Sequence, residues 1–168
     1  MADKDCLILT PDDLEDIDLV ARIRTNRASE LGLQDFYDPG EDRQFLEWEA
    51  AAGELAVAVT YGLTINNAAD PKWSPNGVKA PDLAGNVEIR HTHWETSRCC
   101  GGPHLIVRPR RDVTPGRVFL LVSGLFPYYT MRGWTTRERA MQDGTAKWDG
   151  SIWVCKKRLD EMESLPLA

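Results

Sequence analysis

The chain has 168 residues, 42% of them apolar and 27% charged, which fits one globular domain over 1–168 and excludes a disordered, low-complexity or repeat protein. Its longest apolar runs are as short as "VFLLV" (118–122), and Met1 leads into "ADKDCLILTPDD" with no basic or apolar leader, so neither a membrane span nor export is expected. The net charge of −6 argues at first against a polyanionic partner, but residues 1–60 carry fifteen acidic and five basic residues, whereas 61–168 carry eleven acidic and fifteen basic. The later part is therefore able to face a polyanion. The acidic helix near the start reads most simply as a solvated face, or else as a surface for a basic partner. Four irregularly spaced cysteines, Cys6, Cys99, Cys100 and Cys155, do not form a disulfide framework pattern. They predict unpaired thiols and a cytoplasmic location.

In chain order, "CLILT" (6–10) predicts a short strand or extended arm. Thr10 followed by Pro11 and acids then marks a helix start, and the period of Leu14, Ile17, Val20 and Ala21 carries that helix to about Leu31. This acidic segment, 1–42, is expected to pack on the rest of the domain. A second helix fits 43–62 and ends at Gly62. After a turn-rich stretch (63–86), strand-like segments follow at 87–95, 104–109, 117–124 and 151–156, the first two joined by "TSRCCGGP" as a hairpin. "GWTTRERAMQ" (133–142) has helix composition, and a short polar helix is expected near "KRLDEMES". These elements predict an α+β (mixed α/β) fold. Its expected core is one central, mixed and largely antiparallel sheet of about four to five strands flanked by helices, with "VFLLV" at the sheet centre.

The chemistry-bearing residues centre on "APDLAGNVEIR" (80–90). Strand alternation puts Val87 and Ile89 on one face and Glu88 and Arg90 together on the other, about 7 Å apart at the backbone. That pairing offers a carboxylate to a cation and a guanidinium to a phosphate. Asp82 would stand about 20 Å from Glu88 on an extended chain, so the two can share a metal only if Gly85-Asn86 turns the chain back. Glu54 lies in a helix of small apolar residues, "AAAGELAVAV", where a carboxylate needs a metal, an arginine or solvent as partner. The plain alternative is a turn aspartate beside solvated charges.

The segments "GELAVAVTYG", "KAPD", "VEIR", "LIVRP", "FLLVSG" and "RGW" occur in the order seen in the PD-(D/E)xK nuclease-like superfamily, which the chain resembles over about residues 20–156. More narrowly it resembles a small group often found in phage and metagenomic sequence. The resemblance implies a restriction-endonuclease-like core, a Mg2+ or Mn2+ cofactor held by Asp82, Glu88 and Glu54, and hydrolysis of nucleic-acid phosphodiesters, expected to be DNA, with the chance of a homodimer. Arg90 stands where that pattern has lysine. Arginine stays protonated in proteins and cannot act as a general base, so its expected role is to orient water or neutralise the phosphate while metal-bound water attacks. The rival expectation is a nuclease-fold protein that binds nucleic acid without cutting it. Lys79, Arg108, Arg110, Arg111 and Arg132 are candidate phosphate contacts. Trp134 and Trp94 are candidate stackers with burial as the alternative, and His91, His93, Cys99, Cys100 and His104 form at most a weak zinc pattern.

Overall fold

The computed structural model describes residues 6–30, 43–65, 81–84, 86–93 and 102–166. Its elements in order are β1 (Cys6–Ile8), α1 (Leu14–Glu30), α2 (Arg43–Tyr61), β2 (Val87–Thr92), β3 (His104–Val107), β4 (Val118–Leu125), β5 (Tyr128–Thr136), α3 (Arg137–Asp143), β6 (Thr145–Ala146) and β7 (Ile152–Cys155). The fold is α+β, as the sequence predicts, but its strands form two sheets where the sequence predicts one. The first has the order β1-β5-β4-β2, with β2 parallel to β4 and the other pairs antiparallel. The second is β3-β7-β6, entirely antiparallel.

Local signals explain the helices. The Asp13 carboxylate accepts hydrogen bonds from both the amide and the hydroxyl of Thr10, at 2.7 and 2.8 Å, closing the entry into a 3-10 turn at Pro11–Asp13 and then α1. At the far end of α2, Gly62 has φ +63°, and the Leu63 amide returns to the Ala58 carbonyl at 2.9 Å. This is a glycine stop that a side chain would strain. The small residues Ala51, Ala52, Gly53, Ala56 and Ala58 are buried and let α2 lie close against β2. A Cβ on Gly53 would stand 3.1 Å from the His91 ring.

β4 is buried along its first six residues and lies between β2 and β5, the central place expected for "VFLLV". One face of the first sheet, with Val87, Ile89, Leu120 and Val122, packs under α1 and α2 together with Ile17 and Val57. On the other face Phe119 and Leu121 meet Leu105, Val107 and Val154 of the second sheet and Ala140 of α3. Each fully buried side chain of this kind contributes about 1.5–3 kcal/mol, so covering both faces is where most of the stability lies.

Four expectations need correction. β2 and β3 are not hairpin partners: β2 pairs with β4 and β3 with β7, in different sheets. Residues 133–136 belong to β5, and the helix begins only at Arg137, capped by the Thr136 hydroxyl, which accepts from the Arg139 amide at 3.3 Å. Helix-favouring composition at 133–136 is overridden by pairing with β4 and by the Trp134–Asp160 bridge, made through reciprocal backbone bonds of 3.1 and 2.9 Å. Gly133, at φ +121°, permits that bridge, because a Cβ there would meet the Asp160 carbonyl at 2.6 Å. Finally, Cys155 is disulfide-bonded, with a partner outside the described residues, whereas Cys6 is a free thiol. The polar C-terminal segment forms 3-10 turns at Lys156–Arg158 and Met162–Ser164 in place of a helix. Among the described residues, no helix is long and apolar enough to cross a membrane.

Candidate functional site

Alternation along β2 puts Glu88 and Arg90 on one face, as expected, but that face is the one covered by the second sheet. Glu88 is 0% exposed. Arg90 donates to Glu88 Oε1 at 2.8 Å, to both carboxylate oxygens of Asp112 at 2.9 Å, and through Nε to the Ile106 carbonyl at 3.1 Å. Its guanidinium lies 5.4 Å from the Phe119 ring centroid. Arg117, itself buried, stands 3.6 Å from Glu88 Oε2. Arg90 thus ties β2 of the first sheet to β3 of the second and to the turn that follows it. Burial alone would lower its pKa, but Glu88 and Asp112, with a smaller contribution from Asp82, outweigh that and raise it. Arg90 is a permanent cation held inside the protein.

Asp82 is buried, and its Oδ2 accepts the Ile89 amide at 2.9 Å. β2 is the outer strand of its sheet, so this carboxylate satisfies a backbone donor that would otherwise face no strand. The return of the chain needed for this passes through Asn86, at φ +62°, with the Leu83 amide on the Val87 carbonyl at 3.0 Å. The turn expected at Gly85-Asn86 therefore brings Asp82 back beside β2. Gly85 itself lies outside the described residues, as do Lys79, Trp94, Cys99 and Cys100. Glu54 is buried on α2 among its alanines and valines.

A divalent cation requires carboxylate oxygens turned toward one point. Here Glu88 is held by Arg90 and Arg117, and Asp82 is turned to a backbone amide. Among the described residues no group of three or more His, Cys, Asp or Glu side chains is placed to hold a metal ion. Among the described residues, Glu54, Asp82 and Glu88 do not come together as such a group. Among the described residues the histidines form no metal group either: His91 Nε2 donates to the Gly124 carbonyl at 2.9 Å, and the His104 ring lies against Trp153 with centroids 5.5 Å apart.

The candidate phosphate contacts divide. Arg108, Arg110 and Arg111 are exposed on the turn after β3, which closes through the Arg108 carbonyl, accepting from Arg111 and Asp112 at 2.8 and 2.7 Å. Asp112 points inward to Arg90 and accepts the Arg108 amide at 2.7 Å. Arg132 is half-buried and donates to the Ser123 hydroxyl at 2.6 Å. Trp134 is buried, with its Nε1 donating to the Glu161 carbonyl at 3.0 Å, so it is a structural tryptophan.

Sequence reasoning missed Asp112 and Arg117 as members of the buried cluster. The available signal was Asp112 itself, the lone acid between His104 and Arg137 in a stretch with six arginines, counting Arg137. It also missed a second buried group. Glu49 is 3% exposed and accepts from the Tyr129 hydroxyl at 2.9 Å and the Phe126 amide at 3.4 Å. Burial raises its pKa, and those two bonds and His93 only partly oppose the rise. The same burial and the bond to Glu49 push the Tyr129 hydroxyl up. A carboxyl with a raised folded-state pKa binds more protons folded than unfolded, so its contribution is present below the unfolded pKa of 4.5 and is lost as pH rises through the folded value. Wild type should therefore lose stability relative to Glu49→Gln as pH rises from 4.5 through the folded value. The loss is about 1.4 kcal/mol for every tenfold by which the fold weakens this carboxyl as an acid. Urea midpoints of the two proteins across that range check this, and a constant difference between them would refute it.

Comparison with family models, with curated proteins and with solved structures finds no match to this chain.

Proposed function

We propose that this chain is a nucleic-acid-binding protein in which the Asp82, Glu88 and Arg90 arrangement serves the fold and not hydrolysis. The observation that carries this reading is the orientation of Asp112. By turning inward to Arg90 it completes a buried ion cluster and leaves Arg110 and Arg111 exposed together on the turn after β3, next to the exposed Arg108. Such a turn presents cations to phosphate oxygens, and release of condensed counterions then supplies the affinity. Glu88, meanwhile, is closed off from solvent, where neither water nor a scissile phosphate can reach it.

A second reading, a metal-dependent nuclease acting on DNA, rests on one observation. Two buried carboxylates, Asp82 and Glu88, stand near a single guanidinium, and Asp82 is close enough to act on Arg90 electrostatically. Hydrolysis through them would require Glu88 to leave both arginines.

The binding reading is tested by salt titration of affinity for a DNA duplex and a single-stranded oligonucleotide. The paired reversal Arg110→Glu and Arg111→Glu should weaken binding at least about tenfold and reduce the slope of log K against log salt by about one for each phosphate no longer neutralised. An unchanged slope would overturn it.

A further inference from the structure

Trp148 is 99% exposed, the most exposed large hydrophobic side chain among the described residues. It sits at the tip of the β6–β7 hairpin, in "KWDGS", and nothing in the fold accounts for a bare indole there. The tip is rigidly built. The Lys147 amide donates to the Ser151 carbonyl at 2.8 Å, and the Gly150 amide to the Lys147 carbonyl at 3.0 Å. Asp149 Oδ1 accepts from the amide and hydroxyl of Ser151 at 2.9 and 2.7 Å, and the Ser151 hydroxyl accepts in turn from Trp153 Nε1 at 3.0 Å. Gly150, at φ +80°, completes the turn. These bonds hold the backbone that carries Trp148, so little backbone ordering opposes its use in binding.

The adjoining sheet face continues the same chemistry. Leu105 and Val154 point into the core, so their neighbours His104 and Trp153 point outward, in ring contact at 5.5 Å, with Lys147 Nζ 4.8 Å from the Trp153 ring centroid. Val107 pairs with Ile152, which brings Arg108 alongside Ser151 at the base of the tip, and Arg108 there adds to the lowering of the Asp149 carboxyl pKa after the two Ser151 hydrogen bonds. The basic turn and the hairpin tip are thus neighbours. Residues 104–158 hold eleven basic and four acidic residues, a balance of +7 in a chain of net −6.

We infer that Trp148, with the outward rings of Trp153 and His104 and the cations of Lys147 and Arg108, forms a stacking platform for single-stranded nucleic acid. Unpaired bases offer faces to the indole, which stacked duplex bases cannot do without being opened, while the flanking cations follow the phosphates. The inference rests on the nucleic-acid-binding reading above and narrows it to unpaired strands.

The test uses the full chain and a labelled oligodeoxythymidylate of about 16 nucleotides, with a DNA duplex of equal length as the second arm and anionic phospholipid vesicles as the third. Wild type should bind the single strand more tightly than the duplex. Trp148→Ala should weaken single-strand binding about tenfold and leave duplex binding unchanged, with Trp148→Phe restoring most of the affinity. Because Trp148 is exposed, the alanine variant should keep its thermal midpoint. Equal single-strand affinity for wild type and Trp148→Ala overturns the platform while leaving basic-turn binding intact. Failure to bind either nucleic acid overturns both readings, and binding to vesicles alone assigns the tip to a lipid surface instead.

Discussion

Replacing Arg90 with methionine should lower the free energy of unfolding by about 3–5 kcal/mol, the loss that follows when one partner of a buried ion pair is removed. The size follows from what remains behind. Glu88, 0% exposed, would lose its 2.8 Å partner and keep Arg117 at 3.6 Å among the described residues, and Asp112 would lose a bidentate partner. Arg90→Lys should recover little of the loss, since an ammonium cannot reach Glu88, both oxygens of Asp112 and the Ile106 carbonyl from one position. The double variant Glu88→Gln, Arg90→Met should cost clearly less than the sum of the two single changes, because each single change strands a charge that the other removes. Urea denaturation of the wild type, the two single variants and the double variant measures this directly. Additive losses, or a loss under about 1 kcal/mol for Arg90→Met, would mean that Arg90 is not an internal tie, since surface ion pairs fall in that range.

The same residues show how far sequence reasoning reaches. Period-2 alternation correctly puts Glu88 and Arg90 on one face of β2, and the Asn86 turn correctly returns Asp82 to it. What alternation does not report is what lies over that face. The cover comes from β3 and β7, whose pairing spans about fifty residues of chain and leaves no local pattern. A face expected to meet a phosphate therefore proves to be an interior one. The helices are legible because their signals are local: Thr10-Pro11 at one start, Gly62 at one end, and small residues where α2 meets the sheet. β5 is not, because Gly133, Trp134 and the threonines after it become strand only through β4 on one side and Asp160 on the other. Asp112 and Trp148 are legible in principle, one as the lone acid among arginines and the other as a tryptophan in a Lys-Trp-Asp-Gly turn with no apolar partner in register.

The outcome for hydrolysis separates the two functional readings by the widest margin, since metal-dependent cleavage raises rates by many orders of magnitude over the uncatalysed reaction. If Asp82 holds the Ile89 amide and Glu88 is locked between two arginines, neither is available to turn toward a cation. Asp82→Asn, which keeps an oxygen able to accept that amide, should then leave the fold intact with only a modest loss of stability, about 1–3 kcal/mol. The decisive measurement is incubation of supercoiled plasmid and of single-stranded DNA with the wild-type chain, Asp82→Asn and Glu88→Gln, in Mg2+ and separately in Mn2+, with binding followed in the same samples. The account predicts binding without nicking by all three proteins in either metal. Nicking by wild type that requires the metal and disappears in both folded variants would contradict it and establish the carboxylates as a hydrolytic centre.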